Sequence, residues 1–173
     1  MRPGAVLILG LALLLGTALE MAEAARGPST PKERAKALKL IRQLEEDPLF
    51  EGSRDARRWL SLWLFEVPDL RIDLCPELLG GTAAERKRVP PEVLTQLMYS
   101  GAAVVIENRK AGPEEVYLAS VQGALRVYEA LLAKRPQIRS AALDGLIGQR
   151  DSGTLGTHVT ATMDACPAPG VPH

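Results

Sequence analysis

Residues 53–67 read SRDARRWLSLWLFEV. Ala56, Trp59, Leu60, Trp63, Leu64 and Val67 fall at i, i+3, i+4, i+7, i+8 and i+11, the apolar stripe of an amphipathic helix. Leu62 and Phe65 widen the stripe, which predicts a helix sunk deep in a core. Ser53 is the expected N-cap and Pro68 the stop. Both tryptophans of the chain and one of its two phenylalanines lie here. Aromatic side chains bury the most area per residue, so Trp59 and Trp63 are the expected core anchors.

The pattern on either side is also helical. Upstream, residues 25–29 make a short polar lead. Thr30 reads as an N-cap, Pro31 as the first helical residue and Glu33 as the partner of a capping box. Ala37, Leu38, Ile41 and Leu44 keep helical spacing to Glu46, where Asp47-Pro48 ends the helix. The acidic run Glu45-Glu46-Asp47 reads as a solvated helix end. Downstream, residues 69–74 alternate apolar and charged. A single six-residue strand has no partner in this chain, so an extended connector is expected, with Leu70, Ile72 and Leu74 turned inward. Residues 77–79 fit one helical turn, and Gly80 to Val89 reads as a polar, mobile loop.

Pro90-Pro91 opens a third helix to about Asn108, with Val93, Leu94, Leu97, Met98, Gly101, Ala102, Val104 and Val105 on its apolar side. A fourth runs from Pro113 to about Lys134, lined by Tyr117, Val121, Ala124, Leu125, Tyr128 and Leu132. A fifth is expected from Pro136, with Ile138, Ala142, Leu143, Leu146 and Ile147 inward. Gly153 breaks it, and Leu155, Val159 and Met163 mark a last short helix ending near Cys166. Short links between the third, fourth and fifth helices favour antiparallel neighbours. The expected fold is all-α: an irregular bundle of five to six helices in one domain, residues 25–166, followed by a disordered Pro-rich tail at 167–173.

The N-terminus reads as an address. Arg2 precedes an apolar run of about 14 residues, Ala5 to Ala18, within the length of a secretory h-region and short of a membrane span. Ala22-Glu23-Ala24 offers small residues for cleavage after Ala24. No Cys ends the run and no twin-Arg pair precedes it, so the expectation is a Sec-type signal over residues 1–24 and a secreted or periplasmic product. No stable membrane insertion is expected after cleavage. In that oxidising compartment Cys75 and Cys166 suit one disulfide, closing a loop worth about 4–5 kcal/mol in the chain-entropy model.

Basic and acidic side chains balance at 21 each in the full chain. Removing Arg2, Glu20 and Glu23 with the signal leaves a charge of +1, which gives no electrostatic reason to bind nucleic acid. Arg54, Arg57 and Arg58, and Arg86-Lys87-Arg88, are the basic clusters, read as solvated faces.

No catalytic, cofactor or metal constellation stands out. His158 is the one histidine outside the extreme tail; Asp151 and Asp164 are near it, but Gly-x-Ser-x-Gly is absent. Met98 and His158 are a Met and a His of the kind that hold haem in exported helical bundles, but core methionines are common and Cys-x-x-Cys-His is missing. Glu107, Glu114, Glu115 and Glu129 lack the Glu-x-x-His spacing of a di-metal site. Gly145, Gly148, Gly153 and Gly156 follow no strand, so they read as hinges and helix ends rather than a phosphate loop. Ala124, Tyr128, Leu131 and Pro136 resemble the second helix of a tetratricopeptide unit over about 13 residues; the upstream half of that pattern is missing, and the match reads as general helix-hairpin packing.

The expected function is that of an exported small helical binding protein with a protein partner in the cell envelope, using the 69–89 connector or a groove between helices. The alternatives are an inhibitor or immunity-type protein acting on an exported enzyme, and an enzyme with a site around His158 or the carboxylates.

Overall fold

The computed structural model of the chain describes residues 26–167. The signal expected at 1–24 and, apart from Pro167, the tail expected at 167–173 lie outside the described residues. Among the described residues seven α-helices and three 3-10 turns follow one another, and the architecture is an all-α bundle.

Helix α1, Pro31–Glu46, begins as its sequence dictates: the Glu33 amide donates to Thr30 Oγ1 at 3.2 Å and the Thr30 amide donates to Glu33 Oε2 at 2.8 Å. Helix α2, Ser53–Glu66, begins differently from expectation. Its N-cap is Gly52 at φ 90°, with no side-chain cap. That left-handed backbone is open to glycine, so the turn into the helix is made by the main chain and not by the Ser53 hydroxyl. Ala56, Leu60, Trp63 and Val67 are buried, while Trp59 and Leu64 are partly covered.

Leu62 and Phe65 do not widen the buried face: they are 51% and 90% exposed. Phe65 is two residues past Trp63, about 200° round the helix, away from the one face of α2 that Ala56, Leu60 and Trp63 bury.

Residues 67–75 then run without helix to a 3-10 turn, Pro76–Leu79. Within the stretch expected to be a loop stands α3, Ala83–Arg86, one turn held by a second capping box between Thr82 and Glu85. Helices α4, Pro91–Glu107, and α5, Pro113–Lys134, form the central hairpin. A 3-10 turn at Pro136–Ile138 precedes α6, Ala141–Asp151. The helix therefore starts five residues later than Pro136 suggests, because the Ser140 side chain caps it and the Tyr128 hydroxyl accepts from the Ser140 amide at 2.9 Å. Helix α7, Leu155–Thr162, and a 3-10 turn at Met163–Ala165 bring Cys166 back to Cys75, where the two are joined in a disulfide.

The hairpin separates two apolar cores. One gathers Leu78, Leu79, Val93 and Leu97 with most of the inner face of α5, Leu143 and Leu146 of α6, and Leu155 and Val159 of α7. The other gathers Ala37, Ile41 and Leu44 of α1, Leu60 and Trp63 of α2, and Tyr99, Ala103 and Val105 of α4. The hairpin helices approach closely because their crossing is built from small residues. A Cβ placed on Gly123 would fall 1.9 Å from Ser100 Oγ, and one on Gly101 would fall 2.5 Å from Ser120 Oγ.

Candidate functional site

Polar groups buried at the centre of the molecule come first, because a carboxylate there is the usual mark of chemistry. Glu45, expected at a solvated helix end, is 6% exposed. Its position continues the Ala37, Ile41 spacing of α1 and so points inward. Ser100 Oγ donates to Glu45 Oε1 at 2.6 Å, Arg126 donates to Oε2 at 2.9 Å, and Arg42 lies 3.4 Å away. Gln96 Nε2 donates in turn to Ser100 Oγ at 3.0 Å. Both carboxylate oxygens are occupied by partners, and this network ties α1 to the hairpin rather than presenting a reactive group. The inward spacing at 37, 41 and 45 was the signal that marked it.

His158 lies on α7, half-buried, with Nε2 3.0 Å from the Leu78 carbonyl oxygen. It fastens α7 to the 3-10 turn at Pro76–Leu79. Met98 packs with the other core, beside α2 and the connector, so the fold keeps the two apart. Gly145 and Gly148 fall inside α6, and Gly153 follows its end at φ 75°. Trp59 and Trp63 stack with centroids 5.5 Å apart, and Lys36 Nζ covers the Trp59 ring at 3.8 Å. Trp63 is 2% exposed and Trp59 only half-buried, its outer face closed by that cation. Among the described residues, no group of three or more His, Cys, Asp or Glu could hold a metal ion, and no helix is long and apolar enough to cross a membrane.

The surface is more informative. A groove of about 440 Å³ runs between the C-terminal half of α2 and the connector, lined by Ser61, Leu64, Phe65 and Met98 on one side and residues 70–74 on the other. Each wall is fixed. On the α2 side the buried Tyr99 hydroxyl donates to the Arg57 carbonyl at 3.0 Å, so Ser61, 2.7 Å away, donates to Tyr99. Burial raises the Tyr99 phenol above its ordinary range.

On the connector side the pin is Asp69. Burial would raise its carboxyl. The Ser29 amide and hydroxyl, each at 2.7 Å, and the Arg109 guanidinium at 2.7 Å overcome that and hold it at about 2. Arg109 also donates to the Asp69 carbonyl at 2.6 Å. At the other end the disulfide fastens Cys75, and the Tyr117 hydroxyl donates to the Pro167 carbonyl.

Between these pins Leu70 is buried and Ile72 lies half-buried over Gly101. Leu74, expected inward, is 43% exposed: the disulfide pulls Cys75 into the core, and its neighbour along an extended chain must point the opposite way. Phe65 and Leu74 therefore stand exposed on opposite walls of one groove, with Leu62 beside Phe65.

A wider depression of about 670 Å³ lies between α5 and α6, but its charged groups are already paired: Arg139 with Asp144 at 2.9 Å and Glu129 with Arg150 at 2.6 Å. No family model, curated protein or solved structure matches the chain.

Proposed function

We propose that the chain is an exported binding protein whose docking surface is the groove between α2 and residues 70–74. One observation carries this reading: Phe65, 90% exposed, faces Leu74, 43% exposed, across a groove whose backbone is pinned at both ends. Contiguous exposed apolar surface on a well-packed small domain marks an interaction site. An aromatic at the rim of a rigid groove is the kind of residue that concentrates binding energy. Arg71 and Asp73, of opposite charge on the same wall, supply a polar rim of no net sign. The matching partner is a protein segment with an apolar side chain at its centre. A phosphate backbone does not match, and the formal charge of the whole chain, zero, offers it no field.

A photo-crosslinking side chain at position 65 tests the reading, with the same group at exposed Lys39 of α1 as control. Crosslinking in the cell envelope from 65 to one defined partner, competed by unlabelled protein and not by its Phe65→Ser variant, is the expected result. Equal labelling from both positions, or competition by Phe65→Ser as strong as by the parent, would overturn it.

A further inference from the structure

A third hollow, of about 330 Å³, lies where the starts of α2 and α4 meet the end of α5. Leu49, Ser53, Pro91 and Thr95 form its small and apolar walls; Arg54, Arg57, Arg135 and Glu92 are its charged groups. Three guanidiniums against one carboxylate leave a local charge of +2 in a chain whose overall formal charge is zero. Glu92 neutralises part of it, at 3.3 Å from Arg135. Arg57 donates to the Pro48 carbonyl and, at 3.5 Å, to that of Ser53, while its Nε is buried with no partner among the described residues. Arg54 is exposed and makes no side-chain hydrogen bond or ion pair among them.

The backbone adds to the same field. Neither α2 nor α4 has a side-chain cap. The amides of Arg54, Asp55 and Glu92 donate to nothing among the described residues. Uncapped helix starts place partial positive charge where an anion can use it.

We propose that this cavity binds a small oxyanion, a phosphate or a carboxylate carried on a compact apolar body. The guanidinium fork matches the planar edge of either group, with two N–H donors meeting two oxygens. Leu49 and Pro91 give the body an apolar seat, and the volume is at the lower end of small-molecule pockets. The site is separate from the groove: the two share no lining residue. Its failure would leave the docking proposal standing, and the reverse.

Titration of the full chain with inorganic phosphate and, separately, with acetate, at constant chloride, tests this. The arginine Nε resonances report the contact. Saturable shifts at Arg54 and Arg57 with at least one of the two are expected, and the stronger anion names the headgroup. Arg54→Glu, at an exposed position outside any hydrogen bond, should weaken that binding about tenfold or more, and Glu92→Gln should tighten it several-fold. Shifts that stay linear with both anions, or an affinity indifferent to Arg54→Glu, would overturn the assignment.

Discussion

Gly123 shows how much one missing methyl group decides. Ser100 and Glu45 occupy the space its Cβ would need, at 1.9 Å and 2.8 Å. The collision is with a polar network, so relief by a shift of Ser100 also breaks its bond to Glu45. Gly123→Ala should therefore cost more than the usual overpacking of about 1–3 kcal/mol, despite the better helix propensity of alanine. Urea denaturation gives the number; a neutral or stabilised variant would contradict the close crossing of α4 and α5.

Asp69 acts at the same scale through pH. Its carboxyl is held at about 2 against an ordinary 3.8, so the folded state favours the ionised form. The stabilisation is complete above pH 4 and is lost as pH falls toward 2. Tryptophan fluorescence followed through acid unfolding should show a shallower acid limb over that range in Asp69→Asn. Glu33, Asp47 and Glu85, also lowered by hydrogen bonds, keep the limb from vanishing.

Among the elements, α3 depends most on local chemistry. It is one turn long, buries nothing, and stands on the Thr82–Glu85 box. Helices this short are not stable from propensity alone. Thr82→Ala should remove about 1 kcal/mol of local stability and raise amide exchange at Glu85 and Arg86, with exchange in α4 unchanged. Thr-x-x-Glu at 82–85 is the same signal as at 30–33, so this helix was legible in the chain; the Gly, Lys and Arg around it mask the pattern. The late start of α6 was legible less directly. Ser140 is a good cap, but the choice between it and Pro136 is made by the Tyr128 hydroxyl of α5, which holds the Ser140 amide.

For the molecule as a whole, the disulfide links the connector at the groove to the end of the last helix across 91 positions. It spans most of the described chain, so reduction should lower stability by about 4–5 kcal/mol, read from denaturation with and without reductant. Cys75 is 2% exposed, so reduction under native conditions should be slow and should quicken with dilute denaturant. The intact protein should weigh two mass units less than the fully reduced one.

The all-α class and the order of the long helices were determined by the sequence itself, since apolar spacing and proline breaks are local properties that need no partner to be read. Cys75 and Cys166 were visible as a pair for the same reason: only two such residues exist. Tertiary structure alone decided which faces stay open. Phe65 and Leu74 carry the same apolar character as Trp63 and Leu70; Phe65 stands about 200° round α2 from Trp63, but only the packing says whether a neighbour covers that side, and Leu74 shares the register of Leu70. The one-sided packing of α2, and the pins at Asp69 and Cys75, leave the first pair in solvent and bury the second. The Arg54, Arg57 and Arg135 cavity has the same origin. Two of its arginines lie three positions apart in sequence, but the third arrives from the far end of α5, and only the folded chain makes them one site.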